Sequence, residues 1–300
     1  MGMFARSKIE TVSILGCGWL GMALAKDLIE KGYKVKGSTT QPEKAAEMKK
    51  AGIISFEIRL LPEPEGDHLH EFLDSDLLII AIPPGTKSGM ADSYHPTQIK
   101  YLIDDIKKST VNKIIYISST SVYPTNNQET FETAPLNPQD TTNKSVLLAE
   151  EVLLKNKIFQ TTVLRCGGLM GYDRVPGKYF AGEKNLKTAK VPVNYIHRDD
   201  VVLIIEEIIK QGKWGEIYNV VAPKHPTRKE VYTANARIFG FEIPTFDESE
   251  SMPFKTINSS KLMMDLNYRF KYPNPLEFDY SKILPKKQKP EDPHEAPDLY

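Results

Sequence analysis

Short apolar runs of β character alternate with segments of helical period along the first half of the chain, and this alternation constrains the fold more than any other feature. The strand-like runs are TVSIL (11–15), KVKGS (34–38), ISFEI (54–58), DLLIIAI (76–82), KIIYIS (113–118) and TTVLR (161–165). Between them lie helical segments starting at Trp19 and Pro42, one around Thr97 to Lys108, and a long one predicted between Leu136 and Asn156. Nearly continuous apolar strands alternating with helices call for a parallel sheet covered on both faces, an α/β doubly wound architecture. EIYNVV (216–221) reads as one more strand after an amphipathic helix from Val201 to Lys210.

After residue 166 the pattern loosens into glycine- and proline-interrupted GGLMGYDRVPGKYFAGEKN. Such a stretch suits a loop-rich lobe over the carboxyl ends of the strands, where a substrate sits. The expected organisation is a nucleotide-binding core over 9–166, rejoined by 194–222, and a small substrate lobe from 167–193 and 223–281. The charged, proline-rich 282–300 is expected to be a mobile tail.

Composition removes several function classes. Basic and acidic residues balance at 39 each and no basic stripe interleaves with aromatics, so a nucleic-acid partner is not expected. Cys17 and Cys166 are the only cysteines, without metal-ligand spacing, which points to no metal site, no disulfide and a reducing cytoplasm. No apolar run approaches the roughly 20 residues of a membrane helix, so no membrane partner is expected.

The first strand runs into ILGCGWLG, giving Gly16, Gly18 and Gly21 in GxGxxG spacing, and Leu20, Leu24 and Leu28 then share one helix face. In that strand-to-helix setting the glycines have separate tasks: a tight turn, close approach of backbone N–H groups to a pyrophosphate, and close packing of helix on sheet. Cys17, Trp19 and Leu20 complete the candidate loop, with Trp19 read first as packing against the sheet or the lobe and second as stacking near the cofactor. The second strand ends in Ser38, Thr39 and Thr40, where a carboxylate would otherwise accept from the ribose hydroxyls. Hydroxyls, a helix starting at Pro42 and Lys44 one turn in would accept a 2′-phosphate, which favours NADP, with NAD as the alternative. Pro83 and Pro84, leaving the fourth strand, are further cofactor candidates, although a rigid turn explains them equally.

Taken with the glycine loop, IIYISSTSVYP, RCGGLMGY and YIHRDDVV resemble the extended short-chain dehydrogenase/reductase superfamily, whose members include sugar-nucleotide epimerases and dehydratases. The resemblance covers about Thr11 to Leu276 and implies a Rossmann fold. It places a catalytic hydroxyl at Ser119 and brings Cys166 and Gly167 against the nicotinamide, although a turn explains the glycines equally. Thr120 and Ser121 stand where dehydratases carry Asp-Glu, so water elimination is disfavoured. The superfamily's Tyr and Lys, four residues apart on one helical turn, fall on Thr142 and Val146, and no tyrosine occurs between Tyr123 and Tyr172. This resembles the atypical subgroups of the superfamily.

The implied function is an NADP-dependent oxidoreductase or epimerase acting on a small carbonyl, hydroxyl or sugar-like molecule, with Ser119 orienting the reactive oxygen. Tyr172 is a candidate replacement phenol. The alternative is a non-catalytic NADP(H)-binding module that senses redox state. His95 is read either as a proton donor or as structural, His197 as a packed strand end, and Asp200 as the cap of a helix starting at Val201.

Overall fold

In the computed structural model the described residues are 8–66, 68–84 and 91–278. The expected tail at 282–300 lies outside them. Strand β1 (Thr11–Leu15) leads through the glycine loop into α1 (Trp19–Glu30), followed by β2 (Lys34–Thr39), α2 (Pro42–Lys50) and β3 (Ile54–Glu57). A two-residue antiparallel pair, β4 (Arg59–Leu60) and β5 (Pro64–Glu65), precedes α3 (Leu69–Leu73) and β6 (Leu77–Ile80). Next come α4 (Tyr94–Ile106), β7 (Lys113–Ser119), β8 (Gln128–Thr130), α5 (Lys144–Lys155), β9 (Gln160–Cys166), β10 (Gly168–Met170) and β11 (Tyr195–His197). The chain continues with α6 (Arg198–Gln211), β12 (Ile217–Val220), α7 (Arg228–Phe239), β13 (Lys255–Ile257) and α8 (Ser260–Leu266).

Seven strands form the central sheet in the order β12-β9-β7-β6-β1-β2-β3, with parallel pairing at β1–β2, β1–β6, β2–β3 and β6–β7. Strand order reverses between β1 and β6, the switch point at which such sheets open a crevice beyond the strand ends. The seventh strand is the one read from EIYNVV.

Two compact units divide the chain. The first comprises Met1–Val122, Asn137–Arg165 and Val202–Tyr218; the second comprises Tyr123–Leu136, Cys166–Val201 and Asn219–Tyr300. In the first, Val12, Ile14 and Leu15 of β1 are fully buried, and α1 lays Leu20, Leu24 and Leu28 onto the sheet. At about 1.5–3 kcal/mol for each fully buried large aliphatic side chain, this one strand and helix anchor the glycine loop firmly. Lys36 is an unexpected cation inside β2. Its ammonium donates to the carbonyls of Glu71 and Asp74, both at 2.5 Å, at the C-terminal end of α3, where a positive charge is favoured.

The second unit has its own core of Met170, Val175, Val193, Tyr195, Val231, Tyr232 and Phe278. The unit also contains two parallel pairs, β10–β11 and β8–β13. Helix α7 begins with a complete capping box, Thr227 and Glu230 each bonding the other's backbone N–H, and ends at Gly240 in the left-handed region. Among the described residues no helix is long and apolar enough to cross a membrane.

The sequence predicts one long helix from Leu136 to Asn156, and the structure corrects it. Asn137 closes a turn, its side chain accepting the Gln139 N–H at 3.0 Å and its carbonyl accepting the Asp140 N–H at 3.0 Å. Pro138 and this local bonding divert the backbone, and α5 starts only at Lys144, with Asn143 capping it by accepting the Val146 N–H at 3.2 Å.

Candidate functional site

The glycine loop shows which glycines serve the chain and which does not. Gly16 has φ +102°, and a Cβ there would lie 2.9 Å from the Ala81 carbonyl oxygen. A Cβ on Gly21 would lie 2.2 Å from the carbonyl oxygen of Gly16, so α1 rests on the turn only because that position is bare. Gly18 differs. Its φ of −79° lies outside the left-handed region, and nothing lies within 4 Å of where a Cβ would project. The fold does not require glycine there, but a ligand lying on the loop would.

Gly16 and Cys17 give their N–H groups to the chain itself: Gly16 donates to Ser38 Oγ at 2.9 Å, and Cys17 to the Ser38 carbonyl at 2.8 Å. A nucleotide phosphate must therefore be met from Gly18 onward, at the start of α1. That helix carries no acid in its first turn, and Gly18 caps it without a side chain. These residues fit the group that the loop pattern implies.

The surrounding candidates fall in several places. The Cys17 thiol is buried and pushed up to about 12 by desolvation, so it adds packing rather than chemistry. Trp19 is half-buried, and Leu20 is buried in the core, which leaves its backbone for a ligand. Ser38 is buried under the loop and holds it in place. Thr39 is buried too, its hydroxyl accepting the Gln41 N–H at 3.1 Å. Thr40 is exposed and Lys44 half-buried in the first turn of α2, where Glu43 also lies. Pro83 is exposed and Pro84 half-buried beyond β6.

Ser119 ends β7 half-buried. Its oxygen accepts the Ser121 N–H at 3.1 Å and the Ser121 hydroxyl at 2.9 Å. With both lone pairs engaged, the Ser119 proton is the group left for a substrate oxygen. Thr142 lies before the helix cap and is exposed, while Val146 is 3 % exposed on α5, so the two do not share a helical face. Beneath them Glu150 is fully buried. Its carboxylate accepts from the Arg165 guanidinium, with an Nη2 contact of 2.7 Å, and from the Ser118 hydroxyl.

His95 is fully buried. Gln98 donates its amide to the Leu60 carbonyl at 2.7 Å and so offers Oε1 to His95 Nδ1 at 3.1 Å. That leaves Nε2 to accept the Tyr116 hydroxyl at 2.9 Å. Burial lowers the His95 pKa, and a neutral, doubly bonded ring is structural rather than a proton donor.

In the second unit Cys166 is buried, its thiol pushed up to about 12 by desolvation. Gly167 has no room for a side chain, since a Cβ would meet the Asn194 carbonyl oxygen at 2.3 Å. Tyr172 adopts φ +55°, unusual for a non-glycine residue, and its hydroxyl donates to Asp199 at 3.0 and 3.1 Å. Burial first, then that carboxylate, raise the phenol pKa, the opposite of what a ready acid needs. His197 packs against Tyr272 and Phe278, with ring centroids at 4.0 and 4.6 Å. Asp200 is not a cap at Val201. Helix α6 starts at Arg198, and the Asp200 carboxylate accepts the Tyr268 hydroxyl at 2.7 Å and the N–H groups of Lys271 and Tyr272 at 2.7 and 3.1 Å.

Sequence reasoning passed over Lys36, the Glu150–Arg165 pair and Lys255. Each sits in a strand or helix where its neighbours in sequence give no sign of a buried charge.

Comparison with known proteins agrees with this geometry. A family described as NAD(P)H-binding matches residues 16–211. Protein YeeZ of Escherichia coli K12 is 35% identical over 271 residues, covering 89% of this chain and 98% of its own. A short-chain dehydrogenase/reductase superfamily protein from Agrobacterium tumefaciens, solved with bound NAD, superposes with a TM-score of 0.71 at 15% identity, covering 88% of this chain and 93% of its own. UDP-N-acetylglucosamine 4-epimerase from Bacillus cereus superposes at 0.69 with 17% identity, covering 89% and 97%. The chain therefore belongs to the NAD(P)H-binding family, on the fold of the extended short-chain dehydrogenases/reductases and without their Tyr–Lys pair.

Proposed function

We propose that this NAD(P)-binding protein is an NADP-dependent oxidoreductase or epimerase acting on a small carbonyl, hydroxyl or sugar-like substrate. The observation that carries the NADP preference is the end of β2. No carboxylate stands there, whereas exposed Thr40, the N-terminus of α2 and Lys44 offer hydroxyl, partial positive charge and full positive charge to a 2′-phosphate. A bound dinucleotide supplies or accepts the hydride. Ser119, its oxygen already occupied by Ser121, donates its proton to the substrate oxygen and fixes that oxygen's position.

Calorimetric competition between NADPH and NADH tests the preference, and Lys44→Glu should narrow it. Equal affinities in the unmodified protein would end the NADP reading. Transfer of deuterium from labelled NADPH to a panel of aldehydes, ketones and nucleotide sugars tests turnover, with Ser119→Ala expected to lower it. A second reading, a redox-sensing module without turnover, is favoured by Tyr172 being held on Asp199 and by the loss of both helix positions. Tight NADP(H) binding with no deuterium transfer would select it.

A further inference from the structure

A cavity of about 1020 Å³ opens at the amino ends of the strands of the first unit. Thr11, Lys34, Lys113 and Gln160, which begin β1, β2, β7 and β9, all line it. Thr11 stands opposite Lys34 in the register of β1 and β2, and the Gln160 N–H donates to the Asn112 carbonyl at 2.9 Å, so these strand starts lie along one edge of the sheet. The glycine loop leaves the other end of β1, a strand of five residues and so about 16 Å long. Every described residue that lines the cavity belongs to the first unit.

The lining is basic in a chain whose charges balance. Lys8, Lys31, Lys34, Lys113 and Lys210 contribute to it, and among the described lining residues Glu10 is the one acid. Helix ends explain two of the lysines: Lys31 caps the C-terminus of α1 and Lys210 lies in the last turn of α6, where free carbonyls favour a cation. Lys8, Lys34 and Lys113 precede or begin strands and answer to no helix end. Carboxylates meet part of the charge, Glu10 at 3.4 Å from Lys8, Glu206 at 3.1 Å from Lys31 and Glu207 at 2.9 Å from Lys210. Pairs open to water hold weakly, whereas a multiply charged anion lowers the repulsion among all the lysines at once.

Two aromatic rings share the cavity. Trp214 is half-buried, with Lys113 Nζ 5.7 Å from its ring centroid, and Tyr33 is half-buried just beyond the end of α1. Lysines beside a flat ring match phosphates beside a base, and the volume suits a ligand of small-molecule size rather than a lone phosphate. We propose that this cavity binds a nucleoside polyphosphate, its phosphates on Lys31, Lys113 and Lys210 and its base on Trp214. Binding there does not depend on the oxidoreductase reading.

ATP is the probe. Acetylation of the intact, unmodified protein with and without ATP, read by mass spectrometry, should show Lys31, Lys113 and Lys210 protected and the exposed Lys184 unchanged. Protection confined to Lys44 would place ATP in the dinucleotide crevice and overturn the proposal, as would no protection at millimolar ATP. The chain has two tryptophans, so Trp19→Phe leaves Trp214 as the only one, and ATP should quench its emission saturably. Lys113→Met, which keeps the length of the apolar stem, should raise the ATP concentration for half-quenching about ten- to a hundred-fold. Unchanged quenching in that variant would overturn the proposal. Tripolyphosphate that protected the three lysines as tightly as ATP would show that the base adds nothing and would overturn the nucleotide assignment.

Discussion

Replacing Gly18 and Gly21 separately by alanine should divide ligand binding from folding. At Gly21 the new methyl would sit 2.2 Å from the Gly16 carbonyl oxygen, so α1 must move off the turn. Overpacking of this kind costs about 1–3 kcal/mol or more, and only part is offset by the roughly 1 kcal/mol that alanine gains over glycine inside a helix. At Gly18 nothing lies within 4 Å. Alanine there loses about 0.5–1 kcal/mol as a helix cap and regains about 0.4–1 kcal/mol through the unfolded chain, a net change near zero. Binding reverses the order. A side chain at Gly18 stands where a phosphate must approach α1, and losing one hydrogen bond to a charged group costs about 1.5–3 kcal/mol, or about ten- to a hundred-fold in affinity. Thermal unfolding and calorimetric titration with NADP(H) give both quantities. Gly21→Ala should melt lower, whereas Gly18→Ala should melt like wild type and bind weakly, and Gly18→Val more weakly still. Wild-type affinity in Gly18→Val would refute the reasoning.

Arg165→Met should destabilise by about 3–5 kcal/mol in urea unfolding, because it strands the buried Glu150 carboxylate, and adding Glu150→Leu should restore most of the loss. His197 is neutral when folded, its pKa lowered by burial from 6.5 to about 4, so the unfolded chain takes the proton first as pH falls. Stability should hold above about pH 6.5 and decline through that window by up to about 3 kcal/mol at 1.36 kcal/mol per unit, and His197→Gln should flatten the decline measured between pH 7 and 4.5. Thr142→Tyr with Val146→Lys should not rebuild the missing pair, because Thr142 is off the helix and Val146 is 3 % exposed. The double variant should lose stability to denaturant, and wild-type stability with raised deuterium transfer would contradict the observed position of α5.

Periodicity was enough to place the parallel sheet, because strands buried on both faces must be apolar throughout and crossover helices must be amphipathic. The glycine loop was equally legible, since a positive φ at Gly16 and a bare approach at Gly21 are demands that one residue type meets. The start of α5 was not, because Asn137, Asp140 and Asn143 can each cap or turn, and only the bonded structure shows Asn143 prevailing. The bonding of Ser38, Tyr172 and Lys255 depends on partners far along the chain: Gly16 lies 22 residues from Ser38, Asp199 lies 27 from Tyr172, and Tyr123 lies 132 from Lys255. Local sequence carries propensity and period, so it determines elements and their order. Protonation and donor availability depend on burial and on groups brought together by folding, so whether a hydroxyl holds a loop or a phenol is tied to a carboxylate was decided by the tertiary structure alone.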